Sequence, residues 1–557
     1  MARFAKRISL LAALIAFAAA ATAANASTII HHITGYTITR NGELQQFEAL
    51  AFDDAGKVIW AGSKADALAK APGAKIIDGG GKTLLTGLTD AHGHVMGQGQ
   101  ALITLDLRNI PTLAATQKAI ADYARRYPNN AWIRGRGWNQ VIWNIGRFPT
   151  AAELDAMVRD RPVWLRRIDG HAGWANSKAL QLAGVTKDTK DPQGGKIERD
   201  ADGNPSGVLV DKAMDLVNKI APPPSDAENR AALDAVMAHL REVGLTSVGD
   251  MGLSASDDKL FREYADSGKL TTRVYGAISG AGENFDKLAA NGPLKSYASD
   301  LYALRAVKLY ADGALGSRGA ALLEPYSDMP STRGLLFQSN ESITAQMEKA
   351  MKGGYQVLVH AIGDGGNHQV IDAFAALADK YPVREMRNRI EHAQVVALAD
   401  IPRFKQFGII PSMQPTHATS DMNMAEDRVG HERIKGAYAW RTFLAQGSSI
   451  ACGSDFPVEK ANPFLGLHAA VTRESEKGMP VGGWFPNESL SLKEAFRCFT
   501  LDAAYAANQE NVLGSLEPGK WADFIVIDQD LFRMNEHEIY KVKVLQTWVA
   551  GKRVFGK

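Results

Sequence analysis

The segment Asp90-Ala91-His92-Gly93-His94 places two imidazoles two positions apart, directly after an apolar run, Thr83-Leu84-Leu85-Thr86-Gly87-Leu88. In an extended chain residues two apart face the same side, so His92 and His94 can hold one metal ion together. Three later apolar runs end in the same residue types: Val357-Leu358-Val359-His360, Arg389-Ile390-Glu391-His392 and Ile450-Ala451-Cys452-Gly453-Ser454-Asp455. Any single one of the 13 histidines is more readily explained by ordinary packing. Four of them at three apolar strand ends, followed by an aspartate at a fourth, favour a metal centre. Imidazoles with a carboxylate suit a borderline ion such as zinc, and no thiolate cluster competes for it.

Residues so far apart must be brought together by a frame that gathers strand ends. Eight apolar runs qualify: Leu84 to Asp90, Leu245 to Asp250, Thr272 to Ile278, Leu304 to Tyr310, Gln356 to His360, Asn388 to His392, Ile409 to Gln414 and Ser449 to Gly453. They alternate with helix-length amphipathic segments, the pattern of an α/β (β/α)8 TIM barrel, whose active sites lie at the C-terminal strand ends. The barrel is expected over 87–503, with a long insertion after its first strand, about residues 95–243, far beyond an ordinary loop. Short strand and turn signals in 27–86 and again in 504–557 are each too small for a core, so the two chain ends are expected to form one composite β-sandwich.

The order HxH, Lys, His, His, Asp resembles the amidohydrolase superfamily of metal-dependent hydrolases, over nearly the whole chain from about Ser27. Gly137-Trp138-Asn139-Gln140, Asp169-Gly170-His171-Ala172-Gly173-Trp174 and Lys308-Leu309-Tyr310-Ala311-Asp312-Gly313 resemble the branch related to YtcJ and to N-substituted formamide deformylases. The resemblance implies that His92, His94 and Asp455 hold one ion, that His360 and His392 hold the other, and that Lys308, as an N6-carboxylated side chain, bridges them. A one-ion site, and an unmodified Lys308 paired with Asp312 or touching substrate, stay open. It also implies that Asp455 is catalytic, moving a proton from the attacking water to the leaving nitrogen, and that His171 contacts substrate. Arg318 in Gly316-Ser317-Arg318 is a further substrate-contact candidate. Asp90 and Glu391 are open between structural roles and support of the ligands, with strand alternation pointing Glu391 away from the metal. His368, His417 and His468 are read as structural.

The implied activity is hydrolysis of a non-peptide C–N bond in an amide, N-formyl compound or cyclic amide. A lactonase, esterase or phosphotriesterase is the alternative within hydrolases, and a non-catalytic metal-bound receptor or regulator is the alternative outside them. Five of the 10 tryptophans, at 132, 138, 143, 164 and 174, fall in the insertion, as packing residues or as an aromatic lid. Met422 and Met424 could contact substrate or pack a loop.

Residues 1–26 read as a secretory signal peptide: Arg3, Lys6 and Arg7 precede an apolar run, and Ala24-Asn25-Ala26 is a small-x-small cleavage site. The mature chain is then expected in the periplasm or outside the cell, starting at Ser27, with no stable membrane insertion. Losing those three basic residues takes the formal net charge from +2 to −1, which leaves no basic field for nucleic acid. A small-molecule substrate is the expected partner, and homo-oligomerisation is open. Cys452 and Cys498 are the only cysteines and are expected as two free buried thiols.

Overall fold

Gly87 divides the first apolar run in two. Its N–H donates to the carbonyl of Asp523, and a Cβ there would meet Thr246 Oγ1 at 2.3 Å, so only glycine lets the chain pass so close to the next barrel strand. The run from Leu84 to Asp90 is therefore not one strand: Lys75–Thr86 belongs to one sheet and Leu88–Gly93 to another. The computed structural model describes residues 27–557, and the signal peptide assigned to 1–26 lies outside the described residues.

Leu88–Gly93 opens a barrel of eight parallel strands, continued by Leu245–Leu253, Arg273–Ser279, Tyr302–Tyr310, Gln356–Ala361, Arg389–His392, Ile410–Met413 and Ala451–Cys452. Strands covered on both faces should be apolar throughout. Gln356–Ala361 and Arg389–His392 are buried along their whole length. A parallel bridge between Gly93 and Phe456 joins the last strand to the first.

Strands from both chain ends meet in one seven-stranded sheet, ordered Lys552–Phe555, Val544–Val549, Phe524–Ile527, Lys75–Thr86, Thr28–Ile38, Leu44–Phe52 and Val58–Gly62. Ile30, Leu50, Leu84, Phe524 and Trp548 form its core, with the last two rings stacked 5.1 Å apart. The sheet is tied to the barrel by Arg273, whose guanidinium meets both carboxylate oxygens of Asp523 at 2.6 and 3.0 Å with both side chains buried.

The segment between the first two barrel strands builds its own six-stranded sheet from Leu105–Asp106, Ile133–Trp138, Val163–Arg167, Ala172–Ala175, Gly195–Arg199 and Pro205–Asp211. Trp138, Trp143 and Trp174 interlock there with centroids 6.0 to 6.3 Å apart, and Trp164 packs with Leu209 and Val217. None of these four lines the large cavity, so they pack the insertion and do not form an aromatic lid. The segment returns through helix Asp226–Glu242, started by a Ser225/Glu228 capping box and held by Leu233, Val236, Met237 and Leu240 on its buried side.

Cys452 and Cys498 are not free thiols. They are bonded to each other, with Cα atoms 5.2 Å apart, because helix Leu492–Cys498 packs its last turn against the final barrel strand. The bond closes a loop of 46 residues, for which chain entropy suggests about 4 kcal/mol at most. In denatured protein, alkylation should label neither cysteine before reduction and both after it. Cys498→Ser should cost about 2–4 kcal/mol, read as a lower unfolding midpoint.

Candidate metal centre

His92 is wholly buried at the end of the first barrel strand. Its Nδ1 lies 2.5 Å from Glu391 Oε2, so Nδ1–H donates to the carboxylate and the Nε2 lone pair is directed the other way. Nε2 then faces Asp455 Oδ1 at 3.4 Å, and His94 Nε2 meets the same oxygen at 3.2 Å. The other oxygen of Asp455, Oδ2, lies 3.7 Å from His417 Nε2. His392 is held by Gln414, whose Oε1 accepts from Nδ1 at 2.8 Å, and its ring centre lies 4.7 Å from that of His92 and 4.6 Å from that of His360.

Burial sets the protonation of this cluster. It pushes His94 down to about 4, and His360 and His392 fall well below the usual imidazole value for the same reason, reinforced by the positive neighbours. All three are neutral at pH 7, as metal ligation requires. Burial alone would raise the carboxyls of Glu391 and Asp455. Arg389 and His92 overcome it at Glu391 and bring that group to about 2; the His92 and His94 imidazoles hold Asp455 well below the ordinary range.

The donor atoms of His92, His94 and Asp455 lie within 4.8 Å of one another, and so do those of His392, His417 and Asp455. His92 Nε2, His417 Nε2 and Asp455 Oδ1 are buried without a hydrogen-bond partner. Orphaned acceptors of this kind need an explanation, and a divalent cation ligated by imidazole and carboxylate supplies one. The residues present fit such an ion.

His360 shares the wall with His392, but its Nε2 turns to the carbonyl of Gly313 at 3.4 Å and stands outside both groups of three. Lys308 is buried among them, its Nζ 4.7 Å from the centre of the Tyr310 ring. It is not paired with Asp312, whose carboxylate instead takes the backbone N–H groups of Ala321, Ile362 and Gly363 at 2.8 to 2.9 Å. His171 reaches over from the insertion, its ring 5.2 Å from that of His360 and its Nδ1 2.7 Å from Asp211 Oδ1. Burial opposes a charged His171, but the bond to Asp211 outweighs it and raises the imidazole. Arg318 does not reach the site: its guanidinium closes on Asp328 at 2.8 Å, beside Arg428, and it does not line the cavity.

Two participants differ from the sequence reading. His417 is not merely structural, since it faces Asp455; it lies in Gln414-Pro415-Thr416-His417 immediately after a barrel strand, which was the available signal. Glu391 does not point away from the site. Alternation fails because His392 adopts φ 76°, a left-handed conformation that turns its ring to the cavity while Glu391 stays under His92. Asp455 shares this trait at φ 59°, and such strain in non-glycine residues gathers at functional sites. Asp90 supports the same corner from outside, accepting from Ser454 Oγ at 2.6 Å and from the backbone of His92 at 3.1 Å. His368 is structural, bonded to Asp400 at 2.8 Å. His468 bonds to the carbonyls of Glu536 and Ser475 at 3.3 and 3.2 Å, on the edge of the cavity.

His94, His171, Lys308, His360, His392, His417 and Asp455 open into one cavity of about 880 Å³, lined also by the insertion and by Met422 and Met424. A family model described as "Amidohydrolase family" matches residues 75–555. The chain is 34% identical to YtcJ of Bacillus subtilis (strain 168) over 86% of this chain and 90% of that protein. It is 29% identical to the N-substituted formamide deformylase of Arthrobacter pascens, over 87% and 90% respectively. A crystal structure of an uncharacterized metal-dependent hydrolase from Pyrococcus horikoshii OT3 superposes with a TM-score of 0.74 at 29% identity, covering 92% of this chain and 99% of that one.

Glu391→Gln keeps the size of the side chain and removes the charge that orients His92. It should lower metal affinity roughly 10- to 100-fold, measured by competition with a chelator, with the fold retained. His417→Ala should also lower metal content if the second group of donors is used; unchanged metal per chain would limit the centre to His92, His94 and Asp455.

Proposed function

The chain belongs to the amidohydrolase family, and from that premise we propose that it hydrolyses a non-peptide C–N bond, in an amide, N-formyl compound or cyclic amide. The observation that carries the proposal is Asp455, whose one carboxylate faces three imidazoles with both of its oxygens. The family makes it a hydrolase acting on amide-type bonds. The finer choice of bond is supported by the 29% identity to a formamide deformylase over most of both chains.

His92, His94, His392, His417 and Asp455, together with Lys308 as a carbamate, would hold one or two divalent ions, with zinc suited to the donors. When bound, such an ion supplies Lewis acidity and makes water nucleophilic near neutral pH. The protein's own residues do the rest. Asp455 is ionised and buried, so it can take a proton from the attacking water and return it to the leaving nitrogen. His171, held by Asp211, presents its other ring nitrogen to the cavity as a donor to the substrate carbonyl oxygen. The insertion excludes bulk water from one side of the site, which strengthens each of these interactions.

Lys308 is read as carboxylated. What supports this is a buried lysine that makes no ion pair among the described residues and that matches, in Val307-Lys308-Leu309-Tyr310, the lysine position of the superfamily the chain resembles. Export is supported by the signal-like residues 1–26 and by the Cys452–Cys498 bond, since disulfides persist in oxidising compartments.

Asp455→Asn should retain part of the metal and lose about 10²- to 10⁴-fold in kcat against an amide and N-formyl panel. Lys308→Ala should lose metal first and recover activity with an added short carboxylic acid if a carbamate is what Lys308 supplies. An Asp455→Asn enzyme with wild-type kcat would place proton transfer elsewhere. Faster turnover of matched esters or phosphotriesters than of amides would replace the C–N reading.

A further inference from the structure

Two arginines of the insertion face the cavity with no carboxylate to meet them. Arg136 lies on strand Ile133–Trp138 and Arg166 on Val163–Arg167, and the parallel ladder sets them directly opposite each other. Registered neighbours project from the same face, on strands about 4.8 Å apart. Like charges side by side in a sheet oppose folding. Both side chains line the cavity that holds the histidines, and Asp455 is close enough to act on Arg136 electrostatically.

Among the described residues neither arginine forms an ion pair. Arg136 gives one N–H to the carbonyl of Ile168 at 2.8 Å, and its Nε is buried with no acceptor. The acidic groups around them are committed elsewhere or too distant to pair: Asp106 binds Arg108 and Asp169 binds Arg167, while Asp215 acts on Arg166 only at long range. Burial, with the charges of Arg166 and Arg108, pushes the Arg136 guanidinium down, so the site penalises the cation it contains. Guanidinium groups are built to take a planar oxyanion through two parallel N–H bonds.

We propose that Arg136 and Arg166 receive a carboxylate carried by the substrate, away from the bond that is cut. The substrate class is then an N-acyl compound with a free carboxylate, of which an N-acyl amino acid is the simplest example. The cleaved bond rests on the amidohydrolase reading, whereas the anion pocket does not. Arg166 is exposed and Arg136 half-buried in the open cavity, so a neutral substrate would leave the two adjacent charges to water alone.

The test compares N-formyl and N-acetyl amino acids with their carboxamides, which have the same size and scissile bond but no charge. Binding to the metal-loaded enzyme is measured by calorimetry and turnover by amine release. The free acids should be preferred roughly 10- to 100-fold, the value of a charge-assisted contact. Arg136→Gln and Arg166→Gln should each reduce that preference at least tenfold. Arg134→Gln is the control, because Arg134 pairs with Glu228 and does not line the cavity. Acids that bind in an arginine-dependent way without being cleaved would support the pocket and count against C–N hydrolysis. Acids that bind no better than their carboxamides would overturn the proposal. So would a preference that survives in both variants, since the anion would then be held by the metal alone. Competitive inhibition by inorganic phosphate but by no carboxylate, lost in the variants, would overturn the carboxylate assignment.

Discussion

The site exists because the barrel closes where it does. Its first and last strands are joined by two backbone hydrogen bonds of 2.7 Å, from Asp455 N–H to the carbonyl of His92 and from His94 N–H to the carbonyl of Phe456. Those bonds lie between the candidate ligands, so closing the barrel and bringing Asp455 to His92 and His94 are the same event. The Asp455 carboxylate is placed out of water among several imidazoles, where burial works against its charge and the His92 and His94 rings offset that cost. The fold imposes it by registering the strand ends and holding Asp455 in a left-handed conformation, an arrangement suited to a cation and poor for stability alone.

From that corner the constraint spreads outward through Glu391. It receives the Nδ1 proton of His92 and is itself countered by Arg389, which also donates to Ser412 and to the carbonyl of Ala91. This buried chain joins the first, sixth and seventh barrel strands and fixes which imidazole nitrogen is available. The insertion has a different task. It is packed on its own tryptophans and brings His171, Asp211, Arg136 and Arg166 to the same cavity to which the barrel contributes His94, His392, His417 and Asp455.

Much of this was legible in the sequence because barrel strands are apolar and ligands mark their ends. His92, His94, His360, His392 and Asp455 could be picked out in that way, at the ends of four of the eight apolar runs read as barrel strands, although His360 stands outside both groups of donors. What escaped did so for local reasons. Gly87 interrupts an apolar run that looks continuous, and only the approach of Thr246 shows why. Glu391 was misplaced because alternation presumes extended backbone, which His392 abandons. The partnership of Cys452 and Cys498 spans 46 residues and depends on how one helix returns to the last strand. Arg318 sits in a motif close to the site, yet the loop hands it to Asp328, and no spacing rule encodes that choice. The role of His417 was available from its position after the seventh strand, but a single histidine there is outweighed by ordinary packing until Asp455 is placed beside it.

The central claim is that these imidazoles and Asp455 form a metal centre on which hydrolysis depends. The most direct measurement strips the purified protein with a chelator and then adds back zinc in steps, following bound metal per chain and amide turnover in the same samples. The account predicts no turnover without metal, and activity that rises with bound metal to a plateau at one or two ions per chain. Full turnover by metal-free protein, or activity indifferent to the metal that is bound, would contradict it.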